Sequence, residues 1–392
     1  MLPSYGQDDA GSAESRVSGH LDVRMVRGLG YGQVPGAAVP ARQGVLIGVV
    51  VSAAYDDNIT LASSGPQKDF VFRATPSLAY VRGDSDAKEG GYLKVAYQPT
   101  AVLYADHAGE NRVDQDVSWD ARLRGKVVSI AYGGRVQQLG DPTPDAGRQT
   151  DRLMVEQVIR AAWTPREKLS VELAGGQSSA FYRDRTLADS RGAYGEVAVR
   201  YEYSPKTRIG LAYRTGKFEV DGAGDQQVHR GTVRMEWKPR EKIALDLEAG
   251  VEHRTFDAGS STKPVVEAKV AWTPKAGTQF SLGGYHRTEA SAYFAGQNYD
   301  VSGVSAGMSQ RLGQKWTALL EGGVESSSYS RVSGSGAADR RDRIVFVRPG
   351  LRYQMNDDCQ IEWFYRYERD ISNQSGFGYD NHTVGIRFGW QF

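Results

Sequence analysis

Cysteine is nearly missing from this chain. Cys359 is the only one in 392 residues, so no intramolecular disulfide can form. It follows the turn-forming run Asn356-Asp357-Asp358 and reads as incidental. Long apolar runs are missing too. No stretch approaches the roughly eighteen residues a membrane helix needs, so a helical membrane protein is excluded. Excess charge is missing: 48 Lys and Arg stand against 47 Asp and Glu, with no basic tail. That removes the electrostatic footprint of nucleic-acid binding. Catalytic signatures are also missing. There is no phosphate-binding glycine loop, no H-E-x-x-H, no G-x-S-x-G and no Cys/His metal spacing. The histidines His20, His107, His229, His253, His286 and His382 are scattered. Only His286 and His382 merit inspection for a Ser/His or Asp/His pair assembled across strands, and a loop-proximal polar side chain is the plainer reading. Asp56-Asp57-Asn58 offers three oxygens but not the spacing of a calcium loop, so it reads as turn chemistry. No catalytic residue, metal or cofactor is expected, and the chain is not read as an enzyme.

What is present is alternation. From Val228 to Arg254, Gly231, Val233, Met235 and Trp237 point one way, and Arg230, Thr232, Arg234 and Glu236 the other. Beyond Lys238-Pro239-Arg240-Glu241, the residues Ile243, Leu245, Leu247 and Ala249 share a face, and Asp246, Glu248 and Glu252 share its opposite. A strand sets successive side chains on opposite sides of a sheet, so this is a hairpin with one apolar and one charged face. Each arm runs for roughly ten residues, the length a tilted strand needs to cross a bilayer. Full charges of both signs on the polar face suit a water-filled lumen. A soluble repeat protein with Trp in its core would not leave the opposite face of every strand charged.

The hairpin recurs. Trp163-Thr164-Pro165, Tyr203-Ser204-Pro205 and Trp272-Thr273-Pro274 repeat the pattern of Trp237-Lys238-Pro239, each followed by a short turn. Proline presets a turn angle and is unsuited to a central strand. Trp163, Tyr203, Trp237, Trp272, Tyr353 and Trp390 are thereby read as an aromatic girdle at one membrane boundary. Strands are expected from about Gly44–Tyr55 through Tyr92–Tyr104, Leu153–Trp163 and Val265–Trp272 to Asn381–Phe392. They number about eighteen, even, as a closed bacterial barrel requires. Connections alternate between short turns and longer polar loops such as Asp257–Lys263 and Asp370–Tyr379. The expected fold is all-β, a closed antiparallel transmembrane barrel over 44–392 with short periplasmic turns and longer extracellular loops. Residues 1–43 are Gly-, Ala-, Ser- and Pro-rich and are read as a flexible periplasmic segment without a recognisable signal peptide. The run Val45–Ala54 is read as the first strand in preference to a signal core.

On the same alternation, Glu196, Arg200, Glu202, Arg208, Arg214, Arg230, Arg234, Glu236, Asp246, Glu248, Glu252, Glu267, Lys269, Glu321, Glu362, Arg366, Glu368 and Arg387 are placed inside as pore lining. They read as a wet wall of cross-strand ion pairs or, more sharply, as opposed arginine and carboxylate ladders that pass a polar or anionic solute. The signs nearly balance, so strong charge selectivity is not expected. Aromatic side chains are assigned mostly to the lipid face. The last strand, Thr383–Phe392, alternates apolar with small or polar residues. Its terminal Phe392 resembles the insertion signal read by the barrel-assembly machinery of outer membranes.

Several segments resemble a known family. Ala54-Tyr55-Asp56-Asp57-Asn58-Ile59, Ala74-Thr75-Pro76-Ser77-Leu78 and Ala96-Tyr97-Gln98-Pro99 stand near the start. Tyr365-Arg366-Tyr367-Glu368-Arg369-Asp370-Ile371-Ser372-Asn373 and Phe392 stand at the end. In this order over about 44–392 the chain resembles the family named "putative beta-barrel porin-2" of Gram-negative outer membranes. The resemblance implies an outer-membrane exit conduit for exopolysaccharide or capsule, working with a periplasmic polysaccharide-export protein. A passive porin for small polar solutes is the alternative, and a barrel-scaffolded enzyme the third reading. Inward-folding loops would favour the porin, and a wide lumen would favour export.

Overall fold

The alternating segments pair as one sheet. In the computed structural model, residues 43–391 are described except 86, 144–145, 147, 223, 258, 292–296 and 332–338. The strands are β1 (Gly44–Asp56), β2 (Asp69–Arg82), β3 (Gly90–Tyr97), β4 (Thr100–Tyr104), β5 (Arg112–Arg124), β6 (Val128–Leu139), β7 (Pro142–Thr143) and β8 (Arg148–Gln149). Then come β9 (Arg152–Arg166), β10 (Leu169–Tyr182), β11 (Ser190–Ser204), β12 (Thr207–Val220), β13 (Gly224–Arg240), β14 (Ile243–Phe256) and β15 (Gly259–Lys275). The last are β16 (Thr278–Ala290), β17 (Gln297–Leu312), β18 (Trp316–Arg331), β19 (Arg341–Gln354), β20 (Cys359–Ser372) and β21 (Tyr379–Gln391). All but the small β7–β8 hairpin join one antiparallel sheet of 19 segments. β3 and β4 lie end to end between β2 and β5, interrupted at Gln98-Pro99 where proline cannot donate. They make one crossing, leaving eighteen. β1 pairs with β21 from Gly48↔Gln391 to Asp56↔Thr383, so the barrel closes.

Closure sorts side chains by curvature. On the convex face of β13, Val233 and Trp237 are exposed; on the concave face, Arg230, Thr232 and Arg234 are buried. Trp163, Tyr203, Trp272 and Trp390 are exposed on the same convex side, and the Tyr353 ring packs there, tilted, against Trp316 at 4.7 Å. This exposed apolar surface is large, as a lipid-facing wall requires. Phe392 lies outside the described residues.

The prolines differ in position from the sequence reading. Pro165, Pro239 and Pro274 lie inside the ends of β9, β13 and β15, and the turns are 167–168, 241–242 and 276–277. The ladder shifts register there, between Trp237 and Arg240 and between Trp272 and Lys275. A bulge accommodates a residue without a donor. Neighbouring turns are laced together. Lys238 donates its backbone N–H to the Lys206 carbonyl at 2.8 Å, and Thr273 donates to the Lys242 carbonyl at 2.8 Å.

The segment 257–263 is a second correction. β14 runs to Phe256 and β15 starts at Gly259, with Arg254↔Ser261 and Glu252↔Lys263 in register. Ser260, Ser261 and Thr262 look like loop by composition, yet the partner strand supplies them a ladder. Longer connections at that end are 57–68, 140–151 and 183–189.

Most aromatic side chains face outward as expected, but a minority do not. Tyr194, Tyr285, Phe346 and Phe364 share the concave face with the charges. Each ring lies over a glycine of the next strand. A Cβ added to Gly176 would sit 2.6 Å from Tyr194 Cε1, one on Gly303 2.7 Å from Tyr285 Cε1, one on Gly323 2.7 Å from Phe346 Cε1 and one on Gly385 2.8 Å from Phe364 Cζ. Glycine leaves a flat floor that lets a large ring lie against the sheet.

Candidate functional site: the lumen wall

The concave face of β10 to β15 is a lattice of ion pairs. Arg234 donates to Glu196 at 2.7 Å from Nη1 and to Glu248 at 2.9 Å from Nε. Arg214 donates to the same Glu196 at 2.9 Å. Nearer the short turns, Arg200 meets Glu172 at 2.9 Å and Glu236 at 3.8 Å, and Arg208 meets Glu236 at 3.4 Å and Glu202 at 3.6 Å. Nearer the loops, Glu252 accepts from Arg230 Nε at 2.8 Å and from Arg254 Nε at 2.6 Å. The register sets Asp246 beside Lys269 and Glu248 beside Glu267, and Lys269 pairs with Glu267 at 2.9 Å. Apart from Arg254–Glu252 and Lys269–Glu267, which lie two residues apart on one strand, each bond joins strands one or two apart, because inward side chains converge on the concave side of a curved sheet.

A second cluster lies on β18 to β21. Glu362 faces Arg352 at 2.8 Å, Arg348 at 3.5 Å and Arg387 at 3.8 Å. Arg348 and Arg387 lie over the Phe364 ring at 5.7 and 5.4 Å. Arg366 pairs with Glu368, which also accepts from the Tyr379 hydroxyl at 2.5 Å. Glu321 stands opposite Arg348 in the register. The same glycine, ring and guanidinium stack recurs twice: Arg214 lies 4.2 Å from the Tyr194 ring and Arg287 4.6 Å from the Tyr285 ring. Such stacking holds a cation in place without removing its charge.

All eighteen charged residues read from alternation therefore lie on the concave face. Sequence reasoning missed others there. Arg254 pairs with Glu252 of its own strand and donates to the Thr288 carbonyl of β16, Arg348 and Arg352 pair with Glu362 of the next strand, and Arg287 with Glu289 sits in a segment whose polar residues fall on both faces. Only the pairing register separates those faces. Asp116, paired to Arg135, and Glu172 were missed in the same way.

Loops fold against this inner wall. Ile59 packs with Val71, Val102 and Tyr104, all on the concave face. Asn58, 1% exposed, donates from Nδ2 to the Ala62 carbonyl at 2.9 Å and the Asp380 carbonyl at 3.0 Å. Asp56 Oδ1 accepts from the Asn58 N–H and from Asn381 Nδ2, both at 3.0 Å, and Asp57 Oδ1 from the His382 N–H at 2.6 Å. These oxygens act as turn acceptors. Ala188 of the 183–189 loop packs on Phe218 and Val220. Phe377 of the 373–378 loop lies under Arg340 at 3.6 Å. Gln226 of β13 and Asn298 of β17 bond at 3.0 Å, although four strand steps separate them.

His286 Nδ1 and Ser302 Oγ are 2.6 Å apart, a Ser/His pair within hydrogen-bond reach. It lies on the convex face, opposite Val266 in the ladder and away from the lumen. His382 Nδ1 meets the Tyr365 hydroxyl at 2.7 Å on that same face. Among the described residues no group of three His, Cys, Asp or Glu side chains is placed to hold a metal ion.

Residues 246–392 match the family model described as "Putative beta-barrel porin 2", the family the sequence motifs resemble. No curated protein matches the chain. Among solved structures, OpdQ of Pseudomonas aeruginosa aligns at 10% identity with a TM-score of 0.50, over 90% of this chain and 99% of that one. The outer membrane protein OpdK of the same organism aligns at 11% identity and 0.48, over 89% and 99%. OccAB4 of Acinetobacter baumannii aligns at 10% identity and 0.47, over 90% and 100%. The OpdQ likeness shows the fold alone. The closed eighteen-strand barrel, with its C-terminal part similar to that family, makes the chain a bacterial outer-membrane β-barrel.

Proposed function

We propose that this outer-membrane barrel is a passive porin that admits small polar solutes. The observation that carries the reading is the inward packing of the loop residues Ile59 and Ala188 against concave-face side chains of β2, β4 and β12. Loops folded inward take up cross-section at the mouth of a tube that, at this strand number, would otherwise hold a wide aqueous channel. Long side chains pinned to the wall narrow it further. Near-balanced, mutually paired charges offer hydrogen bonds without a strong preference for one sign. Export of a polymer, which the family resemblance implied, needs an open passage, and the tucked loops favour the small-solute reading. A periplasmic export partner is not required for it. The pore-lining role of the inward charges belongs to the same proposal.

Liposome swelling tests it. Protein-containing liposomes are expected to swell in monosaccharides and amino acids at rates that fall steeply with solute size. Absence of swelling, or loss of surface polysaccharide on deleting the gene, would overturn the reading.

A further inference from the structure

Four of the six histidines, far apart in the chain, stand at one level of the convex wall: His229, His253, His286 and His382. Toward the short turns, the outward residues below each are apolar without a break. Under His229 come Gly231, Val233 and Met235 before Trp237, and under His382 come Val384, Ile386 and Phe388 before Trp390. From Trp237 to His229, and from Trp390 to His382, is eight residues. At about 3.3 Å each on a strand tilted about 40°, that rises about 20 Å, close to the roughly 25 Å apolar band of an outer-membrane barrel. These histidines are therefore the first polar groups above the acyl chains. They lie on the long-loop side, at the level of the outer-leaflet headgroups.

Two of them belong to a longer row. The register sets Thr215, His229, His253 and Thr262 directly opposite one another across β12 to β15. The rings are held in place: His229 Nδ1 meets the Tyr213 hydroxyl at 2.8 Å, and His253 Nδ1 the Thr262 hydroxyl at 2.8 Å. Thr215 Oγ1 lies 3.2 Å from His229 Nδ1, and Thr255 Oγ1 3.5 Å from His253 Nε2. With neighbouring strands about 4.8 Å apart, the row spans about 14 Å. Beyond Thr215 it ends on Gly195, where nothing lies within 4 Å of an added Cβ. We propose that this row binds the sugar headgroup of a glycolipid in the outer leaflet. Imidazole and hydroxyl groups can both donate and accept, as sugar hydroxyls do, and a row of this width spans a disaccharide. A phosphate headgroup fits less well. The row holds no lysine or arginine, and Lys217, one row higher, is held by Glu219 and Asp225, both at 2.7 Å.

Native mass spectrometry of the folded, full-length barrel in detergent tests this. The probes are digalactosyldiacylglycerol, phosphatidylglycerol and diacylglycerol with matched acyl chains. The digalactosyl lipid is expected to bind at least about tenfold more tightly than either of the others. His229→Phe with His253→Phe keeps a ring at each position and removes its polar atoms. It should weaken the digalactosyl lipid about tenfold and leave the other two unchanged. Thr215→Val with Thr262→Val is nearly isosteric, so it serves where the double histidine variant fails to fold, and it should weaken the same lipid. Phosphatidylglycerol binding as tightly or more tightly, diacylglycerol binding equally, or no loss in the variants overturns the proposal. Liposome swelling reports on the lumen alone, so a barrel that admits solutes but does not prefer the digalactosyl lipid sinks this reading and spares the porin. A barrel that prefers that lipid without swelling does the reverse.

Discussion

Glu252 is 1% exposed and holds Arg230 and Arg254 together, whereas Glu202, with a side chain 35% exposed, meets Arg208 at the turn end of the lumen. Removing one partner of a buried pair strands the other charge, at about 3–5 kcal/mol; a solvated pair contributes under about 1 kcal/mol. Glu252→Gln is therefore expected to lower the urea midpoint of the folded barrel clearly, and Glu202→Gln to leave it nearly unmoved. Equal shifts would contradict the burial difference. Glycines divide in the same way. A side chain at Gly303 would meet the Tyr285 ring, while nothing lies within 4 Å of a Cβ added at Gly195 or Gly231. Gly303→Val is expected to cost about 1–3 kcal/mol by overpacking, and Gly195→Ala well under 1 kcal/mol, read from the same unfolding curves. Inward charge at a single position was legible in the sequence because alternation alone assigns a face. Which charge meets which was not, since Arg234 reaches Glu196 two strands away.

Strands announced themselves through period two and through aromatic residues ahead of proline. Their ends did not. β15 extends over Ser260 to Lys263 because β14 offers it hydrogen bonds, a property of the neighbour. Nor did loop direction show. Asp56-Asp57-Asn58 reads correctly as a turn, but its role of tying 57–68 to β21 depends on Asp380, Asn381 and His382, more than three hundred residues away. Asn58→Ala removes the Nδ2 bonds to Ala62 and Asp380 and the Oδ1 acceptor of the Ala62 N–H. The 57–68 loop should then loosen. Limited proteolysis within 57–68 is expected to speed up, and single-channel conductance in planar bilayers to rise. Unchanged conductance with a loosened loop would mean that this loop does not narrow the passage.

For the whole molecule, an even strand count sets β1 antiparallel to β21, and that pairing makes a tube out of a ribbon. Deleting Phe392, the residue read as the assembly signal, is expected to reduce the heat-modifiable barrel recovered from outer membranes; normal recovery would remove that role. Period two in the sequence was enough to determine a two-faced wall, its crossing length and the face of the eighteen charges read from it, because those properties belong to one strand at a time. Closure was left to decide the rest. Bending the wall brings Gln226 to Asn298, stacks Arg348 and Arg387 on Phe364, and turns Ile59 and Ala188 inward. Such contacts join residues that no local pattern relates, since the distance between strands across a tube depends on curvature and register and not on position along the chain.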